Sequence, residues 1–177
     1  VAADGIDAAL ASSPPGARGV VCLPLLSPAG ERAPFVDPAA RGQFIGLSLE
    51  TTRDDLLRAV CEGTAYAARH CLEAAGLAAN GQVFLSGGGI RSEGWRRILA
   101  DVLQRPLLLA RQPEVGARGA AMMALAAIGA AYDRAAWTRP DGVVEPDRAL
   151  AGLYDAGYAF YRDRLAAAVG HWRGPRA

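Results

Sequence analysis

The sequence has no apolar run that approaches the ~20 residues of a membrane-spanning helix, and its alanine-rich start lacks the charged first region of a signal peptide. We therefore expect no membrane partner and a cytoplasmic location. Charge of one sign is also missing: 19 Lys and Arg against 18 Asp and Glu give a net charge of +1. Without a basic block or interleaved aromatics, a nucleic-acid partner is not expected.

Potential metal ligands are scarce. The three cysteines, Cys22, Cys61 and Cys71, show neither Cys-x-x-Cys nor Cys-His spacing. Their apolar surroundings predict buried thiols, which is the usual fate of a free cysteine. The two histidines, His70 and His171, are isolated from other ligand types. Protein side chains alone therefore predict no metal site.

The length of 177 residues, with 51% hydrophobic and 21% charged residues, fits a single globular domain. The first residue is Val1, and Ile6, Ala9 and Leu10 already have helical spacing, as if a helix had started earlier. We therefore expect a fragment of a larger protein. Such a fragment should expose apolar surface where its neighbours dock, which makes a homo-oligomer possible.

Three consecutive glycines make the stretch after Val83–Leu85 the most informative in the chain. The apolar residues 83–85 favour a strand. Ser92 is a good helix cap, and apolar residues at helical spacing follow from Trp95. Because they lack Cβ atoms, the glycines at 87–89 can adopt positive φ and let a ligand lie against the backbone. Free N–H groups at the following helix start would favour anions. The pattern predicts a nucleotide cradle, with a plain strand–turn–helix connection as the alternative.

The remaining segments alternate between strand and helix patterns. We predict strands over 19–25, 43–49 and 106–109, helices over 53–75, 114–130 and 150–171, and loops over 27–42 and 132–147. Thr52 should cap the helix that begins at Arg53, and Gly76 should end it. Alternation of this kind indicates an α/β fold with a mixed or parallel sheet.

Two features of the predicted helices concern packing. Gly63 permits close approach of the 53–75 helix to a neighbouring element, and Gly116 and Gly119 predict a helix pressed tightly on the sheet. Glu62 lies among apolar positions. It is interpreted as pairing with Arg58 or Arg69, with a catalytic role as the alternative.

Three blocks of sequence, in this order, resemble signatures of the C-terminal half of the FGGY-family carbohydrate kinases. They are Gly30 to Gly42, then Gly42 to Leu47 followed by Asp55 to Glu62, and finally Ser86 to Trp95 followed by Glu114 to Ala121. The first block is similar to the Gly-Glu-Arg-x-Pro loop of xylulose- and gluconate-kinase-like members. The resemblance implies an actin-like ATPase (ribonuclease H-like) domain, with a layered mixed sheet flanked by helices.

This resemblance implies part of an ATP-dependent carbohydrate kinase that phosphorylates a sugar hydroxyl. It places adenosine against Gly87, Gly88 and Gly89, with Ser92 where a polar side chain can reach the adenine. Ser92 is shorter than the Asn of glycerol kinases, and its alternative role is the helix N-cap. ATP or ADP, with Mg as the nucleotide's counter-ion, and a small sugar are the implied partners. Gly-Glu-Arg-Ala-Pro favours a ketopentose or an aldonate over glycerol.

Several family motifs are missing from the sequence. We find no Asp-x-Gly-Thr phosphate loop, no catalytic Asp and no Gly-Thr phosphate motif, so no catalytic residue is assigned. Residues 1–177 are therefore interpreted as a fragment of the C-terminal domain, without the N-terminal sugar-binding domain and the start of the second domain. Since phosphoryl transfer depends on positioning and charge neutralisation, the fragment alone should be inactive. The alternatives are a non-enzymatic actin-like nucleotide-binding module acting through partners, and a remnant without a ligand.

Overall fold

A computed structural model of the chain describes residues 3–78, 81–111 and 114–172. The helices of this part are α1 (Ala3–Ser12), α2 (Arg53–Ala74), α3 (Glu93–Leu103), α4 (Val115–Ala127), α5 (Arg134–Thr138) and α6 (Ala151–Trp172). The strands are β1 (Val21–Leu23), β2 (Gln43–Ile45), β3 (Val83–Leu85), β4 (Leu107–Ala110) and β5 (Pro140–Val144). Short 3₁₀ turns cover Ala17–Gly19, Gly88–Arg91 and Arg148–Leu150.

The strands form two small sheets. In the larger one, with the order β3-β4-β5, β3 runs parallel to β4 and β5 runs antiparallel to β4. Helix α3 connects the two parallel strands, which makes β3–α3–β4 a crossover unit. Strands β1 and β2 pair antiparallel in the second sheet. The predicted α/β class, with a mixed sheet flanked by helices, is confirmed.

Helix α2 begins and ends where the sequence predicted. Thr52 and Asp55 form a capping box: Asp55 N donates to Thr52 Oγ1 at 3.2 Å, and Thr52 N donates to Asp55 Oδ2 at 3.0 Å. After the helix, Gly76 adopts a φ of +70°. In the middle of the helix, a Cβ on Gly63 would lie 2.2 Å from the carbonyl oxygen of Cys22. The predicted close approach at Gly63 is thus confirmed, and its neighbour is β1.

The main core lies between α2, α3, α6 and the larger sheet. Tyr66 of α2 packs on three tyrosines of α6, Tyr154, Tyr158 and Tyr161, at ring-centroid distances of 6.5, 6.1 and 5.7 Å. Offset and edge contacts of this kind add to the stability gained by burying the rings. The aromatic residues of the last helix are therefore core residues.

The cysteines are free thiols, as predicted. Cys22 and Cys61 are buried, whereas Cys71 is only partly buried. Burial raises the pKa of Cys22 to about 11 and that of Cys61 to about 12. Both thiols are therefore protonated near neutral pH and act as small apolar side chains.

The loop predicted over 132–147 is wrong, because this segment contains α5 and β5. Asp133 caps α5 by accepting a hydrogen bond from Ala136 N at 3.0 Å. Pro140 and Gly142 weaken the strand pattern of β5 in the sequence. Both are tolerated because β5 is an edge strand of the sheet and Pro140 is its first residue.

The tight packing predicted for α4 is also wrong. Within the described part of the chain, no residue of α4 is buried, and a Cβ on Gly116 or Gly119 would meet nothing within 4 Å. Met123 in α4 and Ile128 just after it are 76% and 77% exposed. Small residues allow close packing but do not cause it, and the described elements leave this helix uncovered.

A buried carboxylate ties the loop after α1 to the start of α2. Asp55 accepts hydrogen bonds from Ser13 Oγ at 2.6 Å, from Thr52 Oγ1 at 2.7 Å and from the guanidinium of Arg18 at 3.0 Å. The bond from Ser13 is the largest cause that holds its pKa at about 2, below the ordinary 3.8. The ionised form of Asp55 is therefore the one that the folded state prefers.

This preference predicts a pH dependence of stability. Because the pKa of Asp55 is lower in the folded state, its contribution is present above pH 3.8 and is lost as the pH falls toward 2. Asp55→Asn should lower stability at neutral pH and flatten the loss of stability between those two pH values. Urea unfolding at several pH values measures both effects. The control is Asp54→Asn in the same helix turn, and an equal change in the slope of both variants would contradict the assignment.

The close approach at Gly63 predicts a large cost for adding one methyl group. Gly63→Ala should destabilise the protein by about 1–3 kcal/mol, because the new Cβ overlaps the Cys22 carbonyl and the backbone must shift. Gly152→Ala in α6, where the Cβ meets nothing within 4 Å, should be neutral or stabilising by up to about 1 kcal/mol. Denaturant unfolding compares the two variants. Equal stability would show that α2 is not pressed on β1.

Candidate functional site

The glycine turn lies at the carboxyl end of β3. Gly87 has a φ of +89°, so the positive φ predicted there is confirmed. Gly88 instead begins the 3₁₀ turn Gly88–Arg91 and has no positive φ, which corrects the expectation for that residue. Gly89 lies in the same turn. The chain therefore needs a glycine for its backbone geometry at Gly87 and not at Gly88.

The space around this turn is open. A Cβ on Gly87 or Gly88 would meet no atom of the described residues within 4 Å, in contrast to Gly63. Internal packing consequently does not explain why Gly88 lacks a side chain. A ligand that lies flat against the backbone would explain it, because any Cβ there would occupy the ligand's place.

A second connection lies beside the first. Strands β3 and β4 are parallel and in register from Val83↔Leu107 to Leu85↔Leu109, so their carboxyl ends are at the same edge of the sheet. Helix α4 follows β4, and the residue at its N-cap position, Glu114, makes no side-chain cap. Ligands of open α/β sheets bind at this kind of edge.

Ser92 acts as the N-cap of α3. It is buried, its Oγ accepts a hydrogen bond from Trp95 N at 3.1 Å, and the same hydroxyl donates to Asp7 Oδ1 at 2.6 Å. The N-cap alternative considered for this residue is confirmed. Because its hydrogen is donated in the bond to Asp7, the hydroxyl links the start of α3 to α1.

Asp7 of α1 completes the cap, and sequence reasoning missed it. Besides the Ser92 hydroxyl, its carboxylate accepts hydrogen bonds from Gly94 N at 2.9 Å and from Glu93 N at 3.3 Å. The bond from Ser92 is the main cause that lowers the pKa of Asp7. The expectation of free N–H groups at the start of α3 is therefore wrong, because a carboxylate of the same chain binds them. No local pattern marks Asp7, since its partners are more than 80 residues away.

Glu62 is the buried carboxylate next to Gly63. Its Oε1 accepts from the guanidinium of Arg58 at 3.3 Å, from Gly16 N at 2.9 Å and from the hydroxyl of Tyr154 at 3.3 Å. The predicted pairing with Arg58 is confirmed, whereas Arg69 pairs with other carboxylates. Burial is the main cause that raises the pKa of Glu62. These contacts give Glu62 a role in holding α2, the loop after α1 and α6 together.

The loop from Gly30 to Gly42 folds back on itself. Glu31 N donates to the carbonyl of Asp37 at 2.9 Å, and Asp37 N donates to the carbonyl of Glu31 at 3.1 Å. Gly30 has a φ of +79°, and a Cβ there would lie 2.2 Å from the Asp37 carbonyl oxygen. Phe35 anchors the loop by stacking on Trp172 of α6 at 6.1 Å. A defined loop of this length usually has a function.

The described residues contain no group of three or more His, Cys, Asp and Glu side chains placed to hold a metal ion. Within the same ranges, no helix combines the length and the apolar character needed to cross a bilayer.

Comparison with known protein families decides which family this arrangement belongs to. The model of the C-terminal domain of the FGGY family of carbohydrate kinases matches residues 3–128. The chain belongs to the FGGY family of carbohydrate kinases. Its predicted membership is confirmed.

Two curated relatives of this FGGY chain illustrate the similarity. It is 40% identical to an erythritol kinase of Brucella abortus over 167 residues, which are 91% of this chain and 32% of the relative. It is 33% identical to a xylulose kinase of Staphylococcus epidermidis over 159 residues, 85% of this chain and 31% of the relative. The chain thus spans about a third of the length of the curated relatives that it matches.

Solved structures of FGGY kinases share the fold. The crystal structure of xylulose kinase from Rhodospirillum rubrum superposes with a TM-score of 0.78 at 36% identity, covering 97% of this chain and 35% of that one. Plasmodium falciparum glycerol kinase, solved with ADP, gives a TM-score of 0.73 at 19% identity, which concerns the fold alone; the match covers 91% of this chain and 33% of that one. The predicted actin-like ATPase fold is confirmed.

The contacts of Asp7 predict a measurable coupling in this FGGY chain. Asp7→Ala should lower the free energy of unfolding by about 1 kcal/mol at neutral pH, because α3 loses a cap that its N–H groups need. Ser92→Ala should cost a similar amount. The two side chains share one hydrogen bond. The double variant should therefore lose less free energy of unfolding than the two single variants lose together.

Denaturant unfolding of the three variants gives this coupling. Because its pKa is lowered in the folded state, the contribution of Asp7 should be lost as the pH falls below 3.8. Glu93→Gln, whose side chain only pairs with exposed Arg97, is the control. Strict additivity of Asp7→Ala and Ser92→Ala would refute the shared cap.

Proposed function

We propose that this chain forms the adenosine-binding part of an ATP-dependent kinase that phosphorylates a hydroxyl of a small carbohydrate. The observation that carries the proposal is the open space at Gly87 and Gly88, at the carboxyl edge of two parallel strands. Membership of the FGGY family supplies the class of reaction.

Each residue of the turn has a distinct part in this proposal. The backbone at 87–89 lies against adenosine, and the open space at Gly87 and Gly88 leaves room for it. Ser92 and Asp7 hold the end of the turn by capping α3, which follows it. Helix α4, whose first turn has no side-chain cap, borders the same sheet edge. A magnesium ion would arrive with the nucleotide phosphates, since the described residues contain no carboxylate cluster of their own for it.

The rest of the active site is assigned to segments outside residues 1–177. The sequence contains no Asp-x-Gly-Thr or Gly-Thr phosphate motif and no assigned catalytic base. Met123 and Ile128 also present an apolar surface around α4 that further protein would cover. Residues 1–177 thus act as the C-terminal FGGY domain of a cytoplasmic kinase, and the sugar pocket is completed by another domain.

Two observations support a substrate class: the sequence of the loop from Gly30 to Gly42 and the names of the relatives. The Gly-Glu-Arg-Ala-Pro sequence of this loop favours a ketopentose or an aldonate. Relatives are named xylulose kinase, gluconokinase and erythritol kinase. We therefore include erythritol, a four-carbon polyol, among the substrates to test. The alternative of a non-enzymatic actin-like module has no support from these relatives, because they are kinases.

Substitution at Gly88 tests the nucleotide site without changing the fold. Gly88→Val places two methyl groups in space that is open in the free chain, so thermal stability should stay close to that of the parent. Affinity for ADP should fall by at least about tenfold, a loss of 1.4 kcal/mol. Titration calorimetry with ADP measures it. Gly170→Val, at an equally open position in α6, should leave the affinity unchanged, and equal binding by all three proteins would exclude the proposed site.

The division of the active site predicts a second result. The purified chain should bind ADP weakly and release no ADP from ATP in the presence of xylulose, ribulose, gluconate, erythritol or glycerol, because base and phosphate loops are missing from its sequence. A coupled assay for ADP measures this. Turnover by residues 1–177 alone would overturn the division.

A further inference from the structure

A groove of about 440 Å³ lies between the loop after α1, helix α2 and helix α6. Its lining includes Pro15, Val21, Glu62, Tyr66, Leu153 and Phe160. It is separate from the glycine turn, which follows β3. The volume is that of a typical small-molecule site.

The walls of the groove are apolar. Leu153 and Phe160, which stand on α6, are each 42% exposed although both are large and hydrophobic. Between them Gly157 leaves a gap, and the hydroxyl of Tyr66 fills the place that a Cβ would take, 2.2 Å away. The groove is thus bounded by a leucine, a phenylalanine and the ring of Tyr66.

Two polar atoms with spare hydrogen-bonding capacity line the same groove. Glu62 is only 2% exposed, and Oε1 takes all of its hydrogen bonds, so Oε2 has no partner within the described residues. The hydroxyl of Tyr66, a residue that is 3% exposed, likewise has no hydrogen bond to any described residue. Neither atom is one of the fully enclosed polar atoms that lack a partner, so both are open to the groove and can bind a polar group of a molecule that enters it.

The charges around the groove define what that partner is. Arg58 neutralises Glu62 from the side away from the groove, because it lines a different cavity. Arg18, the other charged residue on the groove's lining, is paired with Asp55. Oε2 therefore offers a buried acceptor without a strong net charge. We propose that the groove binds a small apolar alcohol or amine, whose hydroxyl or amino group donates to Glu62 Oε2 and meets the Tyr66 hydroxyl. Its apolar body lies between Leu153 and Phe160.

Three probes that share one phenylethyl group test the proposal in the intact 177-residue chain: 2-phenylethanol, 2-phenylethylamine and ethylbenzene. Saturable shifts of the Gly16 and Gly157 amide resonances with either polar probe are expected, because Gly16 N donates to Glu62 and Gly157 lines the groove. Ethylbenzene, which has no donor, should bind about tenfold more weakly, as expected when a buried acceptor stays unpaired. Equal affinity for the three probes, or no shift with any of them, would overturn the proposal.

Variants separate the polar and apolar halves of the site. Tyr66→Phe keeps the ring and should weaken binding of the polar probes by about threefold to tenfold without affecting ethylbenzene. Phe160→Ala should weaken all three probes, whereas Val169→Ala, an exposed position on the same helix outside the groove, should change nothing. Because Glu62 also holds Gly16 and Arg58, Glu62→Gln is used only if its thermal melt is cooperative. Unchanged binding in both Tyr66→Phe and Phe160→Ala would refute the site.

Discussion

The close contact between α2 and β1 at Gly63 is the constraint on which the rest of the structure depends. With the helix backbone against the Cys22 carbonyl, there is no room for a side chain, and the polar residues beside Gly63 become buried. Arg58 and Glu62 then bind groups of three other elements: Leu10 O of α1, Gly16 N of the following loop and the Tyr154 hydroxyl of α6. These bonds offset part of the cost of burying the ion pair, although Arg58 Nε itself has no hydrogen-bond partner among the described residues.

The contact at Gly63 also helps to fix the position of α1. Helix α1 in turn holds the start of α3, which follows the glycine turn. Arg58 holds the carbonyl of Leu10 at 2.6 Å, and Asp7 lies one turn earlier on the same helix. Its carboxylate therefore reaches the start of α3 and binds two N–H groups there. The loop after β3 is held between a strand that ends at Leu85 and a helix capped by another segment. Such preorganisation lowers the cost of ordering the loop when a ligand binds.

Sequence patterns predicted local features well, because their causes are local. The Thr52 cap, the end of α2 at Gly76, strand β3 and the Ser92 cap each depend on residues within one or two turns. The failures have non-local causes. Strand β5 forms because β4 offers it an edge, despite Pro140 and Gly142. The capping by Asp7 needs a contact across more than 80 residues, and the exposure of α4 depends on which elements are present to cover it.

The same geometry bears on which part of a nucleotide the proposed site would bind. The N-terminus of a helix ordinarily attracts phosphate through free N–H groups and the positive end of its dipole. At α3 those groups already bind the Asp7 carboxylate, whose lowered pKa keeps it charged, so a phosphate there would meet a like charge. Adenosine carries no charge and needs only room and backbone groups, which Gly87 and Gly88 provide. The electrostatics of the cap therefore support the proposal that adenosine, and not the phosphates, binds at this turn.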